Sequence, residues 1–472
     1  MASRNTDGYS FMNTMIARSW LERLLDSVAD RGFDLIGLKD RNGQQPSDAE
    51  LCQRLIEGVG EASNIALARE ILQRWQTMDS ERRLAFLQLL ANEMDPSPEA
   101  VERAASNYRP RDPDSLRQLQ RASEPPRQEL FRRLNMAPDG TAVLVEMRAY
   151  LLSLLSDHPE LKSVDMDFQH LLTSWFNRGF LRLERIDWNT PAAILEKLIE
   201  YEAVHPMAGW DDLRRRLGAD RRCFAFFHPA LPTDPLIFVE VALTQSISDS
   251  ISTLIDPEAE EGDPNQANTA VFYSINNALK GLRGVSFGNF LIKQVVTELI
   301  TEFPSIRTFV TLSPIPSLRH GITAICNGEL GQEYLDQLNA IVGERLQAFQ
   351  QPEDQTDLVV MLDSLCASDQ PAEQQTLIND ILRDIVLFYL CQVKRGYHAK
   401  ESVANFHLSN GARLERINTQ ANPSTRGLKQ AWGCMVNYRY EADELVVNHE
   451  NYSQHGQIKV SRELEKQLKD LS

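Results

Sequence analysis

A serine between an apolar strand and two prolines is the first candidate for chemistry. Ser313 follows the β-rich run Thr308–Leu312 and precedes Pro314 and Pro316. Proline fixes the backbone and donates no N–H hydrogen bond, so this segment presents the serine hydroxyl rigidly at the end of a predicted strand, where α/β proteins often place chemistry. Composition alone favours a structural turn here, and the catalytic interpretation stays open beside it.

The second candidate is His407, in the segment Val403–Ala412. Apolar residues flank the histidine, and the turn-forming pair Asn410-Gly411 follows it. Histidine is the side chain best suited to exchanging protons near neutral pH. A single histidine in such surroundings is more often a packed core residue, so the segment alone does not decide between a catalytic and a structural role.

The third candidate is a glycine-rich segment, Gly281–Asn289, which reads Gly-Leu-Arg-Gly-Val-Ser-Phe-Gly-Asn. It lies between the predicted strand Ala270–Tyr273 and an apolar helix. Glycines let a backbone approach a ligand closely, and a helix N-terminus offers unpaired N–H groups to a phosphate. The spacing is neither that of a P-loop nor that of a dinucleotide fingerprint. Phosphate binding and a tight structural turn are equally compatible with it.

Charge and cysteine content exclude other classes of function. The net charge of −17 over 472 residues argues against a duplex-binding protein, which needs a concentrated basic face, but allows a local basic pocket for a small anion. The six cysteines are scattered, without a CxxC pair, and are expected to be free thiols in a reducing compartment. No metal site is expected.

The chain is expected to be cytoplasmic and to have no membrane partner. Residues 1–7 lack the apolar run of a signal peptide, and the last residues, Lys469–Ser472, do not form a peroxisomal address. No stretch approaches the roughly 20 apolar residues that a transmembrane helix needs.

Hydrophobic periodicity predicts two domains. Helical spacing dominates the first part of the chain, including a helix over Thr141–Leu155 and a fresh start at Ser97-Pro98. Near Phe176 the pattern changes to short β-rich runs separated by helices, which is typical of a mixed sheet. We therefore predict a helical domain over residues 1–176 and a mixed α/β domain over residues 177–472. The stretch Gln332–Arg395 is predicted to be a helical surface excursion.

The candidate segments, in this order along the chain, resemble malonyl-CoA decarboxylases. The resemblance is strong from about residue 180 to residue 445 and weaker in the helical part. None of its motifs would suffice alone, but together they are specific. The matching segments are Tyr201–Pro206, Phe227–Pro229, Val241–Thr244, Gly281–Lys293, Leu312–Pro316, Arg395–Tyr397, Asn405–Ala412 and Asn437–Tyr440.

The resemblance implies a fold and an assembly. It implies an α+β, two-domain protein: an all-α N-terminal domain used for oligomerisation, with a homotetramer as the implied form, and a GNAT-like mixed α/β catalytic domain. In the GNAT fold, a strand–loop–helix unit binds the CoA pyrophosphate, which agrees with the phosphate-binding interpretation of the glycine-rich segment. No metal or organic cofactor is implied.

The resemblance also assigns roles to residues. It implies catalytic roles for Ser313, His407 and Tyr440, and a substrate-binding role for Lys197. The segment that would bind the CoA phosphates consists of Arg283, Gly284, Val285, Ser286, Phe287, Gly288 and Asn289.

Two positions depart from the pattern of the family. Some relatives carry an active-site glutamate where this chain has Ser286, and the serine cannot act as a charged base. Some relatives carry an interface cysteine where this chain has Ala192, so a disulfide between subunits at that position is excluded.

The implied activity converts malonyl-CoA to acetyl-CoA and carbon dioxide. The thioester carbonyl can accept the negative charge left by carbon dioxide, so the substrate is its own electron sink. Two other functions are compatible with the same segments: an acyltransferase with the same CoA-binding fold, and a silent acyl-CoA-binding scaffold. Retention of Ser313, His407 and Tyr440 together argues against the scaffold.

Overall fold

A computed structural model describes residues 45–58, 60–285, 291–346, 349, 357–367 and 370–471. The chain divides into two compact units. The described parts of Met1–Leu181, His228–Pro232 and Leu279–Phe287 form the helical unit, and those of Arg182–Phe227, Thr233–Ala278 and Gly288–Ser472 form the sheet unit. The division at residues 176 and 177 that the sequence predicts stays a prediction.

Eight α-helices make up most of the described helical unit. Ser97 caps one helix by accepting a hydrogen bond from the Ala100 N–H, and Pro98 occupies the first turn, so the predicted helix start is confirmed. The helices are α1 Asp48–Glu57, α2 Glu61–Thr77, α3 Ser80–Asn92, α4 Pro98–Asn107, α5 Pro113–Ser123, α6 Pro126–Leu134, α7 Gly140–Leu154 and α8 Lys162–Trp175.

The first part of the glycine-rich segment packs against helix α7 of this unit. Arg148, a buried residue of α7, donates a hydrogen bond from Nη1 to the carbonyl oxygen of Gly281 over 2.8 Å. A Cβ atom at Gly281 would lie 1.9 Å from the carbonyl oxygen of Val145. Gly281 is therefore required by the close approach of two backbones.

We expect Gly281→Ala to destabilise the protein by at least about 1–3 kcal/mol, because the added methyl group would force α7 away from the loop and strain the buried Arg148 hydrogen bond. The measurement is thermal unfolding of the full chain. Gly343→Ala is the matched control, since nothing lies within 4 Å of a Cβ atom built at that position. Equal melting temperatures for the two variants would contradict the packing role.

The sheet unit is built on one mixed sheet of eight strands. Its order is β1-β2-β3-β4-β5-β10-β6, with β9 paired to β10. Strands β4 and β5 run parallel, and the other pairs of this sheet are antiparallel. The strands are β1 Arg182–Ile186, β2 Arg221–Phe227, β3 Ile237–Thr244, β4 Thr269–Asn277, β5 Thr308–Thr311, β6 Ser313–Pro314, β9 Arg413–Asn418 and β10 Met435–Tyr440; a separate hairpin contains β7 Lys394–Arg395 and β8 His398–Ala399.

Helices connect these strands. One of them follows β4 and precedes β5 along the chain, which is the order of the strand–loop–helix unit that the resemblance implies. The helices are α9 Ala192–Tyr201, α10 Trp210–Arg216, α11 Ser252–Ile255, α12 Leu291–Glu302, α13 Leu318–Cys326, α14 Gln332–Leu346, α15 Leu358–Ala367, α16 Ala372–Cys391, α17 Ser402–Ser409, α18 Thr425–Ala431, α19 Leu445–His455 and α20 Arg462–Asp470. The predicted fold class, an all-α region followed by a mixed α/β domain, is confirmed.

The predicted surface excursion over Gln332–Arg395 is wrong. Helix α16 buries ten of its residues, including the continuous run Asp384–Leu390. The helix begins with polar residues that end near Gln375, and the apolar residues after them place the rest of the helix in the core. Among the residues that the structure describes, none of the helices has the length and apolar character needed to span a bilayer.

Candidate active site

The sheet brings Ser313 and Tyr440 to the same face. Strand β10 pairs with both β5 and β6, with Tyr440 opposite Phe309 and Val436 opposite Ser313. Side chains alternate between the faces along a strand, so every second residue points to one side. Ser313 therefore shares a face with Val436, and also with Tyr438 and Tyr440, two and four residues further along β10.

Helix α17 supplies His407 to this face. The helix begins after Glu401, whose side chain accepts a hydrogen bond from the Ala404 N–H over 2.6 Å. The other carboxylate oxygen of Glu401 accepts a hydrogen bond from the Ser317 hydroxyl over 3.3 Å. Because Ser317 lies four residues after Ser313, one buried carboxylate ties the helix of His407 to the loop that follows the serine.

Ser313, His407 and Tyr440 form a continuous hydrogen-bonded chain. The Ser313 Oγ atom lies 2.9 Å from His407 Nε2, and the Tyr440 hydroxyl oxygen lies 2.8 Å from His407 Nδ1. The ring of Tyr438 stacks on the imidazole, with a centroid separation of 4.6 Å and an interplanar angle of 23°. Both ring nitrogens are engaged and the ring plane is fixed, so the imidazole has one orientation.

Burial sets the electrostatics of the chain. The exposed fractions are 6% for Ser313, 3% for His407 and 5% for Tyr440. Loss of solvation lowers the pKa of His407 to about 3 and raises the pKa of Tyr440 well above its ordinary value. Near pH 7 the histidine and the tyrosine are therefore both uncharged. A neutral chain of this kind can pass protons along its length without holding a net charge.

The other predicted site residues are not part of the hydrogen-bonded chain of Ser313, His407 and Tyr440. Lys197 forms an ion pair with Asp234, with Nζ and Oδ1 2.6 Å apart, and donates a hydrogen bond to the Thr233 carbonyl oxygen. In the helical unit, Arg283 is exposed, Gly284 adopts a positive φ of 79° and Val285 is buried. The remaining predicted residues, Ser286, Phe287, Gly288 and Asn289, lie outside the described residues.

Three residues of this site were missed by the reasoning from sequence. Thr311 lies two residues before Ser313 and its hydroxyl oxygen is 2.9 Å from Ser313 Oγ. Tyr438 stacks on His407, and Glu401 caps its helix. The two-residue period of a strand, counted backwards from Ser313 and from Tyr440, could have identified Thr311 and Tyr438. Glu401 offered a weaker signal, since glutamate is not among the preferred N-cap residues.

The described part of the chain contains no group of three or more histidine, cysteine, aspartate or glutamate side chains placed to hold a metal ion. A buried serine–histidine–tyrosine chain on the face of a mixed sheet is suited to moving protons. The fold and the site together are those of an α+β protein with a candidate acid–base site.

Comparison with known proteins gives the family. The family model for the malonyl-CoA decarboxylase N-terminal domain matches residues 94–176, and the model for the C-terminal domain matches residues 179–472. The mitochondrial malonyl-CoA decarboxylase of Anser anser anser is 38% identical over 347 residues, covering 71% of this chain and 68% of that relative. The chain belongs to the malonyl-CoA decarboxylase family, whose named members are carboxy-lyases.

Solved structures agree with the assignment. A crystal structure of malonyl-CoA decarboxylase from Rhodopseudomonas palustris is 41% identical with a TM-score of 0.78, covering 89% of this chain and 100% of that one. The corresponding structure from Agrobacterium vitis is 42% identical with a TM-score of 0.75, covering 89% of this chain and 98% of that one.

Proposed function

We propose that this protein decarboxylates malonyl-CoA to acetyl-CoA and carbon dioxide, and that Ser313, His407 and Tyr440 transfer the proton. The observation that carries the proposal is the buried hydrogen-bonded chain, with 2.9 Å from Ser313 to His407 and 2.8 Å from His407 to Tyr440. Membership of the family supplies the substrate.

The reaction requires a stabilised enolate and one proton. The bond between the α-carbon and the carboxylate breaks, carbon dioxide leaves, and the electron pair moves into the thioester as an enolate. Donors aimed at the developing oxyanion are worth roughly 10²–10³ in rate each, and general acid–base help adds about 10²–10⁴. The enolate carbon then takes a proton, which completes acetyl-CoA.

We assign the proton donation to the pair Ser313 and His407, with His407 as the donor and Ser313 as the group that orients the substrate and takes part in the transfer. A neutral imidazole that gives up its Nε2 proton needs a proton at Nδ1 at the same time. Tyr440 lies beside Nδ1 and can supply it while solvent delivers a proton to the tyrosine oxygen. The proton that enters at Tyr440 balances the one given to the enolate carbon, so neither an anionic imidazole nor a tyrosinate is formed.

Substrate binding is assigned to the glycine-rich segment and to Lys197. Arg283 is exposed and belongs to this segment, so its guanidinium is free to approach a phosphate of CoA. Gly284 and Val285 would bring backbone groups to the same phosphates. The proposed segment also includes four residues that are assigned to it from the sequence alone: Ser286, Phe287, Gly288 and Asn289.

Arg283→Ala is expected to raise KM more than it lowers kcat, because a phosphate contact is made equally in the ground state and in the transition state. Steady-state kinetics with malonyl-CoA measures both constants. Arg426→Ala is a suitable comparison, since Arg426 is also an exposed arginine and its guanidinium donates to the Ala203 carbonyl oxygen in the sheet unit. A fall in kcat at unchanged KM would contradict a phosphate-binding role for Arg283.

We also propose that the protein assembles as a homotetramer and is cytoplasmic. Exposed apolar side chains of the helical unit, among them Leu116, Met136 and Met166, are available for subunit contacts. The described cysteines are all free, which suits a reducing compartment. Light scattering with and without reductant, and cell fractionation against a mitochondrial marker, test the two proposals.

The decisive experiment is incubation of the purified protein with malonyl-CoA alone. Acetyl-CoA and carbon dioxide are expected without any acceptor, and activity is expected to survive EDTA and dialysis. A product that forms only when an amine is added would instead identify an acyltransferase. Binding of malonyl-CoA without turnover would identify a silent scaffold.

A further inference from the structure

The Oγ1 atom of Thr311 is a hydrogen-bond acceptor in a fixed position beside Ser313. Thr311 is the last residue of β5, and its side chain is fully buried. In the register that β10 keeps with β5 and β6, Thr311 faces Tyr438. There the Tyr438 N–H donates to the Thr311 Oγ1 atom over 3.1 Å. This hydrogen bond fixes the position of the threonine side chain.

The backbone of Thr311 is held as firmly as its side chain. The side chain of Asn437, which is fully buried, donates from Nδ2 to the Thr311 carbonyl oxygen over 2.7 Å. The Oδ1 atom of Asn437 in turn accepts a hydrogen bond from Asn418 Nδ2 over 2.7 Å. With both ends fixed, Oγ1 of Thr311 cannot follow Ser313 if the serine turns away.

The structure gives the direction of the first hydrogen bond, from Ser313 Oγ to Thr311 Oγ1, and counting protons then gives the directions of the other two. Ser313 donates its single hydroxyl proton to Thr311 Oγ1 over 2.9 Å. Its oxygen must then accept at the contact with His407, so the imidazole proton sits on Nε2. A neutral imidazole carries only one N–H, so Nδ1 is an acceptor and the Tyr440 hydroxyl donates to it.

We infer that Thr311 is a positioning residue: by accepting the Ser313 proton it sets His407 in the Nε2–H tautomer, with the transferable proton directed at Ser313. The effect on rate rests on the proposed function, whereas the tautomer is a property of the free protein. Burial, which lowers the pKa of His407 to about 3, keeps the ring neutral and thus restricted to one tautomer or the other.

Thr311→Val is the informative substitution because valine keeps the branched shape and removes the hydroxyl. Without an acceptor at residue 311, the Ser313 proton is expected to turn towards Nε2, and the imidazole proton to move to Nδ1. We expect kcat to fall at least about 10-fold, with KM little changed, since the general acid has lost its proton on the reacting side. Thr311→Ser keeps a hydroxyl and is expected to restore the rate.

Two measurements separate positioning from simple destabilisation. The nitrogen-15 NMR shifts of the imidazole, assigned by their loss in His407→Ala, report the tautomer of the free protein directly. The second measurement compares Thr311→Val in the wild type and in Ser313→Ala. A residue that acts through Ser313 has no further effect on rate once the serine is absent, whereas damage to the fold lowers the rate in both backgrounds. Thr308→Val, on the same strand, controls for the loss of a threonine hydroxyl.

The inference predicts Nε2–H in the wild type and in Thr311→Ser, and Nδ1–H in Thr311→Val. An Nδ1–H imidazole in the wild type would overturn it, as would a folded Thr311→Val protein with unchanged kcat. If the wild type failed to decarboxylate malonyl-CoA, the proposed function would be wrong, and the tautomer measurements would still decide the role of Thr311.

Discussion

Replacing His407 by alanine is expected to lower kcat by at least about 10²-fold, the low end for loss of an acid–base group. Ser313→Ala is expected to have a similar effect, because the two side chains share one hydrogen bond of 2.9 Å and act as a unit. The double variant should then be about as slow as the slower single variant. Steady-state kinetics with malonyl-CoA on the three proteins measures these losses.

The competing explanation is that His407 is only a packed core residue, which its burial would also permit. His407→Ala would then lower the melting temperature while the protein that remained folded kept its turnover. Measuring kcat, CoA affinity and thermal unfolding on the same samples distinguishes the two roles. His320→Ala, at an exposed histidine of helix α13, is the matched control. Near-normal turnover in well-folded His407→Ala would refute the proposed mechanism.

Local sequence patterns predicted most of the elements that build the site. The β-rich runs that correspond to β4 and β5 are recognisable because buried strands use branched and aromatic residues. Ser313 and His407 stood out by their neighbours, and Tyr440 by the resemblance. No sequence pattern indicates that these side chains contact one another, because 94 residues separate the serine from the histidine and only the folded sheet brings them together.

Long-range packing explains what the sequence did not predict. The polar first turns of helix α16 predict an exposed helix, but the apolar run that follows them is buried. For the segment of Gly281 the sequence leaves phosphate binding and a tight structural turn equally open, and the structure shows that the backbone of Val145 in α7, which is remote in sequence, leaves no room for a side chain at Gly281. Lys197 forms an ion pair with Asp234, 37 residues further along the chain, a contact that no motif signals. For Gly281 and Lys197 the deciding neighbour therefore comes from another part of the chain.

Replacing one partner of the buried pair Arg216 and Glu240 is expected to have a large effect on stability. Arg216 Nη1 lies 2.8 Å from Glu240 Oε2, and its Nη2 donates to the His205 carbonyl oxygen. The exposed fractions are 2% for Arg216 and 0% for Glu240. At pH 8, where Glu240 is ionised in the folded protein, removing Arg216 leaves an uncompensated buried charge, so Arg216→Met is expected to cost about 3–5 kcal/mol of unfolding free energy.

A double variant tests whether charge, rather than packing, causes that loss. In Arg216→Met with Glu240→Leu both charges are absent, and apolar side chains of similar size are often neutral or stabilising at such positions. We expect the double variant to recover most of the stability in chemical denaturation. A double variant as unstable as Arg216→Met would assign the loss to packing. Arg185→Met, at a half-exposed arginine paired with Glu302, is expected to have a much smaller effect.

The same pair makes stability depend on pH. Burial raises the pKa of Glu240 to about 7, and its Oε1 atom has no hydrogen-bond partner among the described residues. The folded protein therefore keeps a proton on Glu240 at pH values where the unfolded chain has lost it. This contribution to stability is full below the ordinary glutamate pKa of 4.5 and is lost as the pH rises through about 7.

The unfolding free energy of the wild type minus that of Glu240→Gln should therefore be larger at pH 5 than at pH 8. The buried histidines His205 and His407 titrate in both proteins and cancel in this difference. A stability difference that is independent of pH would show that Glu240 is ionised in the folded protein throughout this range.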